Sequence, residues 1–193
     1  MNWELPLGWK WMPISSRVRR TSAQVGPADI LPDWLYLGLE HVQSGTGEYT
    51  GVAAGTAAIR SAKFRFEPGD ILYGKLRPNL RKCVVADHVG VCSTDLVPLR
   101  PINPDSAHLI AAQLRSELFT QQVMRLVGGA NLPRVNMKDV LGLSLPVPPD
   151  EDSGRLHAIA RSVVSLRQLQ RSLESAVSAA DGSATAELLG LAP

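Results

Sequence analysis

The sequence predicts a mixed α/β (α+β) fold: a twisted, mostly antiparallel sheet with packed helices, followed by one long C-terminal helix. Three observations predict it. Short β-prone apolar runs separated by turn residues dominate from about residue 62 to residue 99. From residue 105 the apolar residues recur every three or four positions, which is the helical period. After residue 150 this period continues over about three and a half heptads, a length typical of a coiled coil.

The first sixty residues are predicted to be loop-rich. Residues 1–20 hold three of the four tryptophans, and we expect these to be core anchors rather than base-stacking platforms. Residues 21–33 contain two prolines and are predicted to form a loop. The segment Trp34–Val42 is predicted to be a strand, and the Gly- and Thr-rich segment 43–56 a loop or bulged hairpin. Its glycines do not form a phosphate loop, because no Gly-Lys-Ser/Thr follows them.

The strands of the centre are bounded by turns. Ile71–Tyr73 follows the turn Pro68-Gly69-Asp70. Cys83–Ala86 and Val91–Thr94 are predicted to form a hairpin around Asp87–Gly90. The two cysteines could face each other across this hairpin, and in a reducing compartment packed free thiols are the expected state.

The remaining elements are helical or extended. Asp105–Val127 is predicted to be one amphipathic helix that ends at Gly128-Gly129. Val140–Leu145 is short and mixed, and Pro146–Pro149 is a rigid extended connector. The acidic and capping residues of Asp150–Ser153 predict the start of the last helix.

The last helix is predicted to end at Asp181-Gly182-Ser183, which divides the chain into a body (1–149), a coiled-coil helix (150–181) and a short tail (182–193). About 25 helical residues extend roughly 37 Å. A helix of that length cannot bury its apolar seam along a compact body, so a partner helix is expected, with Gln170 helping to fix the register. Folding of the helix back onto its own body is the alternative. The seam residues are Leu156, Ile159, Val163, Leu166, Gln170, Leu173, Val177 and Ala180.

Composition is ordinary for a soluble protein, with 45% hydrophobic and 20% charged residues. No apolar run approaches the roughly 20 residues of a transmembrane helix. The N-terminus lacks the layout of a signal peptide. A cytoplasmic protein without membrane attachment is therefore expected.

Charge is concentrated between Arg60 and Lys82, where seven basic residues face two acidic ones, a local excess of +5 against +2 for the whole chain. A positive patch on strands and loops favours binding to a polyanion, and we predict double-stranded DNA. For any one of these basic residues, the alternative is that it belongs to a solvated rim and does not contact DNA. The predicted phosphate contacts are Arg60, Lys63, Arg65, Lys75, Arg77, Arg81, Lys82 and the more distant Arg134, and the candidate base contacts are Gln43, Ser44, Thr46, Tyr49, Arg77 and Asn79.

Catalytic motifs are missing from the sequence. A common restriction nuclease places an acidic residue two positions before a catalytic lysine, to hold Mg²⁺, and none of the five lysines has one. The methyltransferase Asn/Asp-Pro-Pro-aromatic motif does not occur, and no His/Cys pair has metal-ligand spacing. We therefore predict no catalytic residue, no metal and no cofactor.

The sequence also resembles the specificity subunits of type I restriction–modification systems, over nearly its whole length. The entry segment Leu5–Trp11 and the strand Tyr36–Val42 resemble corresponding family segments. The segment from Leu132–Val135 to Leu145–Pro149 resembles the family's exit before a long helix. The central matches are Gly69-Asp70-Ile71-Leu72, Arg77-Pro78, Lys82, Gly90–Asp95 and Leu99-Arg100-Pro101.

This resemblance implies a non-catalytic DNA target-recognition domain that directs methyltransferase and restriction subunits to their site. A family member normally has two recognition domains and two conserved helices, and this chain has one of each. A half-length protein can read a bipartite target only by pairing, so we expect a homodimer through the helical seam, or pairing with another half-subunit. Two other classes stay open: an adaptor whose basic face is incidental, and a nuclease of unfamiliar type.

Overall fold

The computed structural model describes residues 4–128 and 133–188, with side chains described as far as residue 181. Trp3, Gly129 and Leu132, on which parts of the predictions rest, lie outside these residues. The strands are β1 (Lys10–Pro13), β2 (Val18–Arg20), β3 (Gln24–Val25), β4 (Leu35–Leu37), β5 (Val52–Ala53), β6 (Lys63–Phe66), β7 (Ile71–Gly74), β8 (Cys83–Val85), β9 (Gly90–Cys92), β10 (Leu96–Pro101) and β11 (Ser144–Val147). The helices are α1 (Ala107–Leu114), α2 (Glu117–Met124), α3 (Met137–Gly142) and α4 (Asp150–Leu188).

The strands form two main sheets and a ribbon. The four-stranded sheet has the order β2-β10-β7-β8 and is antiparallel throughout. The five-stranded sheet has the order β3-β6-β9-β4-β5, and its β4–β9 pair alone is parallel. The ribbon pairs β1 with β11. The predicted fold class is confirmed.

The four-stranded sheet lies between two hydrophobic clusters. Because alternate residues of a strand face opposite sides, Ile71 and Tyr73 of β7 pack with residues of α1, α2 and α3, while Leu72 packs with residues of the five-stranded sheet such as Phe66 and Leu37. All four residues of β7 are buried. The body is therefore three layers, with helices on one face of the central sheet and the second sheet on the other.

The predicted hairpin of Cys83–Ala86 with Val91–Thr94 is wrong. β8 pairs with β7 in the four-stranded sheet, whereas β9 pairs with β4 and β6 in the other sheet. The turn at Gly69 fixes β8 instead, since Gly69 N donates to Ala86 O at 2.8 Å. Cys83 and Cys92 belong to different clusters, and both are buried free thiols, as expected.

The predicted helix over residues 105–127 is two helices. α1 ends at Leu114, and Ser116 begins α2, its Oγ accepting a hydrogen bond from Phe119 N at 3.2 Å. The predicted strand over residues 34–42 is similarly shorter, since a 3-10 turn follows β4. Trp11 is 41% exposed and is not a core anchor. Trp9 and Trp34 are half-buried.

The last helix begins at Asp150 as predicted and continues to Leu188. The prediction that it ends at Asp181 is wrong, because the helix passes through Gly182. Its 39 residues extend about 58 Å. Its first part packs on α1 through His157, Ala160 and Val164, which are all buried. No helix in the described ranges has the length and hydropathy to cross a membrane.

Candidate nucleic-acid interface

The loop of residues 75–82, between β7 and β8, which we name the arginine loop, presents arginines from an unusual backbone. Arg77 and Arg81 have left-handed φ angles of 50° and 52°, and they flank the 3-10 turn Pro78–Leu80. Left-handed backbone costs a non-glycine residue about 1–2 kcal/mol. Pro78 is buried while both arginines are exposed. The turn is therefore anchored by its proline and carries two exposed arginine side chains.

A cleft of about 380 Å³ lies beside this loop. Lys82 Nζ donates to Leu39 O at 2.8 Å on one wall. Asp95 lies on another wall, 3.5 Å from the exposed guanidinium of Arg134. Within the described ranges, Arg77 and Arg81 form no salt bridge. Their charge is thus available to an external anion, whereas Lys82 and Arg134 are partly engaged.

The predicted basic residues of strand β6 and its approach form a separate group. Arg65 is exposed, pairs with Glu67 at 2.8 Å and lies 4.9 Å from the centre of the Trp34 ring. Arg60 is exposed. Lys63 is 9% exposed, and its Nζ donates to Ser61 O and Ser61 Oγ. The ammonium group of Lys63 is therefore satisfied within its own loop.

The segment Gln43–Glu48, which we name the reading loop, lies against the arginine loop. It is closed by a bridge between Val42 and Tyr49. Gly45 and Gly47 have φ angles of 73° and 89°, which favour glycine, and Gly45 N donates to Arg81 O at 3.3 Å. Two segments whose contacting residues are 36 positions apart in the sequence are thus brought together.

Side chains in and next to the reading loop and the arginine loop differ in exposure and in whether they are hydrogen-bonded within the protein. Gln43, Ser44 and Asn79 are exposed, and Lys75 is half-buried. The Tyr49 hydroxyl donates to the Asp87 carboxylate, and its ring packs on the core. Burial, with this bond, raises the pKa of Tyr49. Its polar group is therefore used internally, and Gln43 and Ser44 remain the reachable candidates of this loop.

Three arginines that make contacts within the protein were not predicted from the sequence. Arg100 donates to the buried Asp70 carboxylate through Nε at 2.8 Å and Nη2 at 2.9 Å, and this bonding raises its pKa. Arg115 is buried, donates to Cys83 O at 2.8 Å, and has its pKa lowered by burial. Arg171 pairs with the buried Glu48 at 2.5 Å.

A sequence signal for the last of these pairs existed. Arg167 and Arg171 continue the stripe of His157, Ala160 and Val164 at helical spacing, and that stripe is the face of α4 that meets the body. The prediction concentrated on the more apolar stripe beside it.

The predicted apolar seam of α4 faces solvent in the single chain. Leu166 and Leu173 are each 64% exposed, and Leu156 is half-buried. Gln170 Nε2 donates to Glu174 Oε1 at 2.8 Å within the helix. The alternative of a helix folded onto its own body therefore applies to one face only. The exposed apolar stripe comprises Ile159, Val163, Leu166, Leu169, Leu173 and Val177.

The described part of the chain holds no cluster of three or more His, Cys, Asp or Glu side chains suited to a metal ion. Its prominent chemistry is cationic: two outward arginines next to a loop with exposed amide and hydroxyl groups. Such a surface binds phosphate and can hydrogen-bond base edges. Fold and site together define a binding module with a projecting helix.

Comparisons with known proteins show what the chain is similar to. No protein-family model matches the chain. The chain is 29% identical over 174 residues to the specificity subunit of the type I restriction enzyme EcoDI from Escherichia coli. The aligned region covers 90% of this chain and 38% of that protein. The chain is thus a homologue of type I restriction enzyme specificity subunits and spans well under half the length of this relative.

Solved structures agree on the fold. The HsdS subunit from Thermoanaerobacter tengcongensis matches with a TM-score of 0.65 at 22% identity, over 97% of this chain and 48% of that one. A structure described as showing complex assembly and conformational transition of the type I R-M system matches with a TM-score of 0.60 at 23% identity, over 97% and 51% of the two chains. The S subunit from M. genitalium matches with a TM-score of 0.58 at 16% identity, over 91% and 43%.

Proposed function

We propose that this chain is a DNA-binding specificity component of a type I restriction–modification system. It binds double-stranded DNA through the arginine loop and the reading loop, and it directs methyltransferase and restriction subunits to the bound site without catalysing a reaction. The similarity to a specificity subunit supports this role. The observation that carries it is the pair of exposed arginines at left-handed positions beside the reading loop, which form no salt bridge with the described residues.

The chemistry divides between affinity and specificity. Arg77, Arg81 and Lys75 supply phosphate contacts, which release counterions and make binding sensitive to salt. Gln43 and Ser44 are suited to base edges, since amide and hydroxyl groups pair with acceptors and donors in the major groove. Arg60 and Arg65, on the separate group around β6, extend the positive surface.

Substitution of the outward arginines tests this proposal. Arg77→Ala and Arg81→Ala keep a side chain at the left-handed position but remove the charge. Each should weaken binding to random duplex and reduce the slope of log K against log salt by about 0.9. Arg155→Ala removes one exposed positive charge near the start of α4 and is the matched control. Fluorescence anisotropy at several salt concentrations measures both quantities.

Wild-type protein that does not bind duplex at low salt would contradict the proposal, and together with an intact oligomer would favour the adaptor function. Cleavage of plasmid by pure protein with Mg²⁺ would favour a nuclease. Equal salt slopes in all three variants would mean that DNA lies elsewhere.

We further propose that two copies pair through the exposed stripe of α4. A row of isoleucine, leucine and valine side chains, each 42–66% exposed, lies along a helix of about 58 Å, and an exposed apolar surface of this extent is unfavourable in water. A two-fold pair would read a palindromic target, with the distance between half-sites set by the helices. The alternative is that another half-subunit, and not a second copy of this chain, packs on the stripe.

Light scattering tests the pairing. Leu166→Glu and Leu173→Glu place charge in the stripe and should shift the mass from two chains to one. Gln168→Glu adds the same charge on the other side of the helix and should leave the mass unchanged. A single-chain mass for the wild type at micromolar concentration would refute the homodimer.

A further inference from the structure

The reading loop is held in place by contacts with the last helix, α4. Arg167 Nη1 donates to Thr46 O at 2.6 Å, and Arg171 pairs with the Glu48 carboxylate at 2.5 Å. These two arginines are one helical turn apart, so they project from the same face of α4 and contact the loop at two points. Every residue from 172 to 181 is exposed. Among the residues of α4 whose side chains are described, Arg171 is therefore the last that is not exposed.

The packing beneath the loop is close at Gly47. A Cβ on Gly47 would lie 2.7 Å from Cζ of Arg115, so the buried guanidinium group rests directly on this glycine. Glu48 is 5% exposed. A buried carboxylate needs a partner, because an unpaired charge away from water is strongly unfavourable. Undocking of α4 would leave Glu48 without the Arg171 charge, so loop position and helix docking are linked.

Charge adds to this linkage. Arg115, Arg167 and Arg171 converge on the loop, and Glu48 is the carboxylate that pairs with one of them. Arg167 lowers the pKa of Arg115 in addition to the larger effect of burial, as expected for neighbouring cations. The carbonyl groups of Thr46 and Cys83 satisfy part of this positive charge. The loop therefore rests on a cationic base that belongs partly to α4.

We infer that Arg167 and Arg171 are positioning residues for sequence reading. They need not touch DNA; from α4 they fix the reading loop, so that Gln43 and Ser44 meet bases in one conformation. This inference rests on the proposed function. It makes the helix more than a spacer, because the face that docks on the body sets the geometry of reading while the neighbouring apolar stripe remains open for pairing.

The first test uses the free protein and needs no DNA. In Arg171→Gln the amide protons of Gln43 and Thr50, which donate to Glu48 O and His41 O, should exchange about tenfold faster. Arg171→Lys, which keeps the charge, should restore most of the protection. Arg155→Gln on the same helix is the control and should leave these amides unchanged. Unaltered exchange in Arg171→Gln would overturn the inference.

The second test measures discrimination. The affinity for a target duplex selected from a random pool is divided by the affinity for random duplex, for the wild type and for Arg171→Gln, Glu48→Gln and the double variant. The ratio should fall about tenfold in each single variant, because a displaced base contact loses that much. The double variant should be no worse than either single one. Affinity for random duplex should stay within about twofold, since phosphate contacts are untouched.

The outcomes separate the two claims. Wild-type protein that binds no duplex defeats the proposed function, and the inference with it. Wild-type protein that prefers its target, combined with an unchanged ratio in Arg171→Gln, defeats the inference alone. Melting temperatures identify any variant that fails to fold, and Arg171→Lys then decides, because recovery of the ratio by a charge-conserving change is not expected of a general loss of stability.

Discussion

Replacement of Arg100 by alanine tests how the central turn is held. Asp70 is 1% exposed, and its carboxylate accepts two hydrogen bonds from Arg100 and a third from Glu67 N at 2.9 Å. The turn joins β6 to β7, and β7 leads directly into the arginine loop. Arg100 lies on β10, so this ion pair ties the turn to the neighbouring strand.

The expected loss of stability follows from the burial of each partner. Removing one partner of a buried ion pair costs about 3–5 kcal/mol, because the other charge is left unpaired. Arg100 is half exposed, and water entering its place solvates Asp70 in part, so we expect the lower end, about 3 kcal/mol. For a chain of this size that lowers Tm by roughly 6–12 °C. Asp70→Asn keeps the shape and an acceptor and should cost about 1.5 kcal/mol.

Urea denaturation followed by circular dichroism measures these differences. Arg19→Ala is the matched control, since Arg19 is an exposed arginine directly opposite Arg100 in the sheet, and it should change stability by less than about 0.5 kcal/mol. The double variant Asp70→Asn with Arg100→Ala should cost less than the sum of the single changes. A loss below about 1 kcal/mol for Arg100→Ala would refute the reasoning, because the pair would then contribute no more than a surface salt bridge.

Further predictions concern thiols, pH and the glycine beneath the reading loop. Burial raises the pKa of both Cys83 and Cys92 to about 12, so neither should react with a thiol reagent at pH 8 until the protein is unfolded; fast reaction of the native protein, followed by absorbance, would contradict their burial. Burial lowers the pKa of His157, and nearby Arg17 adds to this. Because the unfolded chain then binds protons first, stability is complete above about pH 6.5 and is lost as the pH falls through the folded pKa. Thermal melts should show a Tm that falls from pH 7.5 to pH 5, with a smaller fall in His157→Gln; an equal fall in both would assign the effect to other groups. Gly47→Ala should destabilise by about 1–2 kcal/mol, since it combines a positive φ with contact to Arg115; an unchanged urea midpoint would show that the loop can shift.

The parts of the fold that could be predicted are those decided by neighbouring residues. The turn before Ile71 and the start of the last helix at Asp150 depend on local backbone and capping chemistry, and both were predicted correctly. The pairing of strands depends on residues that are distant in the sequence. β8 and β9 look like a hairpin in sequence, but burial of alternate residues against two different layers sends them to different sheets. The same holds for Ser116, whose capping bond divides a continuous helical period.

The candidate site could likewise be predicted only in part from the sequence. The concentration of charge around Arg77 is visible in the sequence, and the structure places Arg77 and Arg81 outward. Charge counts do not reveal which cations are already engaged, so Lys63 and Arg60 looked equivalent although Lys63 is bonded to Ser61 and Arg60 is exposed. The contact between the reading loop and α4 joins residues more than 120 positions apart, which no local pattern encodes.

The left-handed backbone at positions 77 and 81 sets stability against binding. Glycine would adopt this conformation without the penalty that arginine bears. A selection of variants for heat resistance alone should therefore enrich glycine at both positions, and the surviving proteins would melt later while holding nucleic acid less firmly. Robustness and affinity are thus opposing demands on one short turn, and improvement of this protein by directed evolution would need to screen for both at once.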